Sequence, residues 1–444
     1  MTLEARVRAL AATLFSGLPA GQSLTAELKA ESSDFVRVAR TRVRQAGHVD
    51  EAELSLRLVA RRGDALHEAT RSFTLGGEAS ADLAQARRAL DALADEVRAL
   101  PASPFAEEAA PRGSSRRAVV EAPASSDKGA LLDAASGLDL SGHVAEGTIT
   151  RAVLSSAGTE HWFETARAVI DASAYAENGK AVKLQLAGEA LDPGEWTRLL
   201  DDARSQLTIL ARPPARIEPG ARRAYLGPMA VAELVEMMSW GCVGEAAIQQ
   251  GDSPLRRARA LARPFSPLFS LSEDFTRGDV PAFTGEGDLA PDAVPIVTAG
   301  HLVGSLVSAR TAREYGVRAN GAEQGEAMRA PSIAPGDLAQ GRALPALGDG
   351  LYIPNLHYLN WSDQPGGRIT GMTRYATMLV RGGEAVAPIA DLRFDDTIFR
   401  VFGASLAALD DRASLVPATL TYEFRSLGGA RVPGVLLSEL SFAS

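Results

Sequence analysis

Apolar and polar residues alternate with period two through SLTAELKAES, DFVRVARTRVRQA, AELSLRLVARRG and ATRSFTLGG, between residues 23 and 77. That is the spacing of strands whose successive side chains point to opposite faces. The clusters Ser32-Ser33-Asp34 and Gly47-His48-Val49-Asp50 read as turns between them, which predicts an antiparallel meander. Before it, MTLEARVRALAATLF has the apolar spacing of a short amphipathic helix, and after it ASADLAQARRALDALADEVRAL reads as a long one that covers one face of the sheet. Residues 101–128, rich in Pro, Ala, Ser and charge, read as a surface connection. Strand spacing then returns over residues 146–191, and GEWTRLLDDARSQLTIL closes this second unit with a helix.

The pattern changes after ARPPARIEPGARR, residues 211–223, whose Pro-Pro and Pro-Gly pairs resist both helix and central strand. Short apolar runs broken by glycine follow: AYLG, VPIVTAGHLVGSLV, GLYIPNLHYLN, GGRITGMTRYATMLVRGGEAV and ATLTYEF. The fold expected is therefore α+β. An N-terminal domain, residues 1–210, holds an antiparallel sheet with covering helices, and a mostly β C-terminal domain, residues 220–444, forms a sandwich or distorted barrel. Two helices are expected inside the latter, one over MAVAELVEMMSWGCVG (229–244) and one near LSEDF.

Composition narrows the function. The chain has 444 residues, 46% hydrophobic and 23% charged, so it is long and apolar enough for two packed cores. A net charge of -9 opposes phosphate backbones and anionic lipid, so neither nucleic acid nor a membrane is an expected partner. The basic run FVRVARTRVRQ alternates at strand spacing and reads as a solvated strand face. A single cysteine, Cys242, excludes an internal disulfide and a Cys-rich zinc module. With no secretion signal and no apolar run of about 20 residues, a cytoplasmic protein is expected.

Candidate chemistry is sparse. The six histidines are scattered, and GxSxG is absent. The acidic DLRFDD segment, with Asp391, Asp395 and Asp396, could hold a hard cation through oxygens, or simply be a charged loop. His357 in NLHYLNWSD, flanked by Asn355 and Asn360, could border a peptide cleft. Gly366 and Gly367 permit a tight turn or the close approach of another backbone. In MAVAELVEMMSWGCVG, helical spacing puts Val231, Leu234, Val235, Met238 and Cys242 on one stripe and Glu233, Glu236 and Trp240 on the other side.

The ordered segments TGEGDLAPDAVPIVTAGHLVGSLVSARTAREYGVRANGAEQG, GDGLYIPNLHYLN and GGRITGMTRYATMLVRGGEAVAPI resemble the signature region of the TldD/PmbA family, most strongly over residues 280–390. The resemblance implies a cytoplasmic peptidase assembled from TldD and TldE (PmbA) chains that degrades or trims peptides. In TldD-like members a helix bears HExxxH and a later cysteine completes a zinc site, where imidazoles and thiolate bind metal and the glutamate acts on bound water. Placed by Pro228, that pattern falls on Glu236, Met237 and Gly241, and no cysteine follows Cys242. The resemblance thus implies a TldE-like chain with no catalytic residues, metal or cofactor of its own, inactive alone. Zinc is expected in a TldD-like partner, and Asn355, His357, Asn360, Gly366 and Gly367 are the substrate-binding candidates. The alternatives are a stand-alone peptide-binding or homodimeric structural protein, or an enzyme with a site rebuilt around His357 and the nearby acidic residues.

Overall fold

A computed structural model describes residues 1–119, 125–339 and 341–443 of the chain. Residues 120–124 of the expected 101–128 connection lie outside the described residues. The N-terminal half is one twisted sheet with helices on its apolar face. Helix α1 (Leu3–Ser16) starts at Thr2, whose hydroxyl accepts the Ala5 amide at 3.2 Å. It buries Val7, Leu10, Ala11 and Leu14, the spacing of one helix face. Strands β1 (Gln22–Ala39), β2 (Arg42–Arg62) and β3 (Ala65–Thr74) form the meander, and α2 (Ala79–Ala99) returns across it. The short β4 (Ser114–Arg117), helix α3 (Lys128–Ala134), strands β5 (Asp139–Ser155), β6 (Glu160–Tyr175) and β7 (Ala181–Gly188), and helix α4 (Pro193–Leu210) complete the half. The strand order is β3-β2-β1-β5-β6-β4, with β7 also paired to β6.

Alternation along the strands sorts the two faces. Leu24, Ala26 and Leu28 of β1 and Leu54, Leu56 and Leu58 of β2 are buried beneath α1 and α2. Each such leucine contributes about 1.5–3 kcal/mol of burial. The intervening Thr25, Glu27, Lys29, Ser55 and Arg57 point to the opposite face, which matters below.

The meander has two long strands where the sequence pattern suggested more. Chain direction reverses at Arg40 and Thr41, both with positive φ (51° and 53°), and not at Ser32-Ser33-Asp34 or Gly47–Asp50. The serines stay extended because both neighbours hold them: Ser32 is opposite Asp50 of β2 and Thr148 of β5. Local turn preference yields to a ladder on each side.

The C-terminal half contains a nine-stranded and a six-stranded sheet. Central in the larger sheet is β8 (Gly220–Leu226), between Gly350–Ile353 (parallel) and Val435–Ala443 (antiparallel). One core joins both sheets, with Ile296, Ile333 and Val432 from the smaller and Leu226, Leu351 and Leu437 from the larger. Helix α5 (Pro228–Gly241) packs into the same core. Neither sheet closes on itself, so the architecture is α+β with stacked open sheets and no barrel.

Two local expectations are corrected. Leu271–Asp274, within LSEDF, is a strand: Leu271 and Glu273 point inward, and the Glu273 carboxylate accepts the Arg329 amide at 2.6 Å. ATLTYEF (418–424) is an irregular loop beyond Ser414–Pro417, with Glu423 at positive φ. Its apolar residues do not share one face: the Arg151 guanidinium lies over Phe424, while Leu420 and Tyr422 face outward. Among the described residues, no helix is long and apolar enough to cross a membrane.

Candidate functional site

The polar face of the first sheet is one wall of a cleft of about 1670 Å³. Thr25, Glu27 and Lys29 of β1, Arg57 of β2, Glu68 of β3 and Lys183 of β7 line it. The facing wall comes from the C-terminal half: α5, the segments near 280–286 and 323–331, residues 355–358, and the loop after Ser414–Pro417.

Helix α5 separates its two faces by sequence. Val231, Leu234, Val235 and Met238 are essentially inaccessible, as is Cys242 just beyond the helix, whereas Met229, Ala232, Glu233, Glu236 and Trp240 line the cleft. Pro228 at the first turn has no amide proton to leave unpaired, which suits the helix start. Burial, then the neighbouring Glu236 charge, pushes the Glu233 carboxyl up to about 8. The Leu356 amide and the Lys183 charge pull it back only in part. On the same wall, burial and the Glu286 charge push Glu323 up to about 7 against the pull of Arg329, and across the cleft burial raises Glu27 as well.

Most of the cleft's cations are already engaged. Arg57 pairs with Glu68, and Lys183 pairs with Asp171. Arg329 donates to the Phe283 carbonyl at 2.8 Å and the Gly321 carbonyl at 2.7 Å. Arg151 donates to the Thr150 carbonyl at 2.8 Å and lies over Phe424.

The residues singled out by sequence divide. Asn355 and His357 line the cleft; Asn360, Gly366 and Gly367 belong to the hairpin Leu356–Asp363/Arg368–Thr373 and do not. Asn355 is buried to 4% exposure, and its amide reaches the Met229 sulfur at 3.4 Å. The Arg374 guanidinium donates to His357 Nε2, and burial together with that guanidinium lowers the imidazole's pKa, so His357 is neutral near pH 7. The Asn360 Oδ1 accepts its neighbour Trp361's amide, and Gly367, at φ 70°, makes the hairpin turn. The acidic run is dispersed: Asp391 pairs with Lys180, Asp395 with Arg368 at 2.6 Å, and Asp396 with Arg400 at 3.1 Å.

The residues at the HExxxH positions do not fit a zinc ion. Glu236 faces the cleft, but Met237 is buried in the core, and the space beside Gly241 is filled by the Trp361 indole. A Cβ at 241 would lie 2.4 Å from Trp361 Nε1. Trp361 is held there edge-on to Trp240, while Gln364 donates to the Gly241 carbonyl at 2.9 Å. Cys242 lies inside the core, where burial pushes its thiol up and disfavours the thiolate that zinc requires. Among the described residues, no group of three or more His, Cys, Asp or Glu side chains converges in a metal-binding arrangement.

Sequence reasoning missed the wall that the first sheet provides. Thr25, Glu27, Lys29 and Arg57 were legible only as the polar side of amphipathic strands, a period shared by a solvated face and a cleft. Glu233 and Glu236 were placed away from the core, though nothing in the pattern showed what they face.

Comparison with known proteins follows the same outline. The profile of the PmbA/TldA metallopeptidase C-terminal domain matches residues 219–444. No curated protein matches in sequence. The fold is similar to the crystal structure of TldE from Thermococcus kodakarensis (TM-score 0.76, 12% identity, 99% of this chain and 100% of that one). It is also similar to a proposed modulator of DNA gyrase from Thermotoga maritima (TM-score 0.75, 15% identity, 100% of both chains). A third similar structure is a proposed DNA gyrase modulator from Bacteroides thetaiotaomicron (TM-score 0.73, 12% identity, 99% and 98%).

Proposed function

The chain belongs to the TldD/PmbA family, and on that premise we propose that it is a metal-free, TldE-like subunit of a cytoplasmic peptidase. It holds peptide in the cleft between the first sheet and α5 while a TldD-like partner supplies zinc and cleaves. The observation that carries this reading is the state of α5. It lines a cleft large enough for several residues of extended chain, yet its ligand positions hold Glu236, a core methionine and a glycine closed off by Trp361.

The chemistry left to this chain is binding and orientation. Buried polar groups in a concave site fix the register of a ligand, and apolar rims supply contact area. Here Asn355 and the Leu356 backbone form the polar part, and Trp240, Tyr358 and Tyr422 the exposed rim. The test is cleavage of a fluorogenic peptide by this chain alone, by a TldD-like chain alone, and by the mixture. The expected result is no turnover by this chain alone and at least about tenfold more by the mixture than by the TldD-like chain. Turnover by this chain alone would overturn the reading. Peptide binding with no gain in the mixture, by a chain that elutes as a homodimer, would replace it with a stand-alone binding protein.

A further inference from the structure

We infer that Glu233 and Glu236, with Asn355 on the same wall of the cleft, form a subsite for an alkylammonium group: the lysine side chain or free N-terminus of a bound peptide. The inference rests on the reading of the cleft as a peptide site and adds the chemical class of the peptide.

The two glutamates lie three residues apart on the cleft face of α5, which makes their side chains neighbours. Neither has an ion-pair partner among the described residues, although basic side chains line the same cleft. Lys183, the base that acts on Glu233, is taken by Asp171 on its own sheet. Burial and the Glu236 charge disfavour ionisation of Glu233 at this end of the cleft, and a ligand cation placed between the two carboxyl groups offsets both effects.

Asn355 supplies an independent indication. The residue is only 4% exposed, yet it lines the cleft. Its Nδ2 has only the Met229 thioether at 3.4 Å, and its Oδ1 has no hydrogen-bond partner among the described residues. That oxygen opens on the cleft, where a ligand donor can take the place of the water it would otherwise bind. An ammonium carries three N–H donors, enough for both carboxylates and this oxygen. The surroundings suit its methylene stem and charge as well: Trp240 and Tyr358, 55% and 81% exposed, stand on the same side of the cleft, and aromatic faces attract alkylammonium groups. A divalent metal suits the set poorly, because it offers no imidazole or thiolate and few oxygens.

The experiment measures binding to the full chain by fluorescence anisotropy. The probes are N-acetylated, C-amidated octapeptides that differ only at a central Lys, norleucine or Glu, and a lysine-free peptide with a free N-terminus. The lysine or free-amine peptide is expected to bind about tenfold more tightly than its norleucine counterpart. Glu233→Gln combined with Glu236→Gln is expected to reduce that ratio to about twofold or less, with norleucine-peptide affinity retained as the sign of a folded cleft. Asp91→Asn, on the exposed side of α2 and away from the cleft, is expected to keep the preference. Equal affinity for the Lys and norleucine peptides would overturn the subsite while leaving the peptide reading standing. A preference that survives the double variant would also overturn it. Failure of every peptide to bind would remove the peptide reading and the subsite with it. Titration with Zn²⁺ closes the remaining route: stoichiometric binding lost in the double variant would make the pair a metal site and overturn the inference.

Discussion

A glycine and a tryptophan decide what α5 can do. Gly241 has ordinary helical geometry, so its role is spatial: the Trp361 indole occupies the volume where a side chain would project. Gly241→Ala places a methyl group 2.4 Å from Trp361 Nε1, and because the indole is wedged edge-on against Trp240 it cannot swing away freely. Overpacking of this kind costs about 1–3 kcal/mol. The expected outcome is a lower urea midpoint for Gly241→Ala, largely restored when Trp361→Ala is added, since the second change removes the obstacle. A non-additive gain in that double variant would establish that the indole and the helix share the space. Additive losses would mean that the two positions are independent.

At the scale of elements, the β1–β2 hairpin shows how tertiary pairing overrides local signals. Arg40 and Thr41 both take positive φ, as a tight two-residue hairpin turn requires, although neither residue favours it. Thr41 has a reason to stay: its hydroxyl donates to the Leu138 carbonyl and accepts the Leu140 amide at 3.0 Å, which pins the hairpin end to the start of β5. For Arg40 the described residues provide no side-chain anchor. Arg40→Gly is therefore expected to stabilise the protein by about 1 kcal/mol, while Thr41→Val loses the pinned hydroxyl and destabilises by a similar amount. Thermal unfolding of the two variants side by side checks the signs. The same contrast explains what was legible. The helices α1, α2, α4 and α5 could be read directly because caps and apolar stripes are local. The turn at Arg40–Thr41, the strand at Leu271–Asp274 and the loop at 418–424 could not, because each depends on a partner distant in sequence. So does the cleft: the period that orients Glu27 and Arg57 carries no record of the α5 wall opposite them.

Over the whole molecule, the cleft exists only while its walls stay in register, and that register is set by polar contacts between the halves. Arg425, from the loop after Ser414–Pro417, reaches into the first sheet, where its Nε donates to the Glu31 carboxylate at 3.1 Å and its backbone amide does so at 2.7 Å. Its Nη1 also donates to the Arg167 carbonyl at 3.0 Å. Both side chains of the pair are 5% exposed, so neither charge has water as an alternative partner. Nearby, Arg167 donates to the Gly428 carbonyl at 2.6 Å, and His161 Nε2 lies 3.1 Å from the Gly287 carbonyl while its ring stacks on Phe283. Such a pair is expensive to break and inexpensive to replace, because the desolvation cost disappears only when both charges go. Arg425→Met alone strands a buried carboxylate and is expected to cost about 3–5 kcal/mol; Glu31→Leu added to it is expected to recover much of that loss. Unfolding measurements on the two single variants and the double variant give the coupling. Peptide affinity separates stability from alignment: if Arg425 also holds the loop that bears Leu420 and Tyr422 over the cleft, the double variant regains its stability but still binds peptide less well than the parent chain.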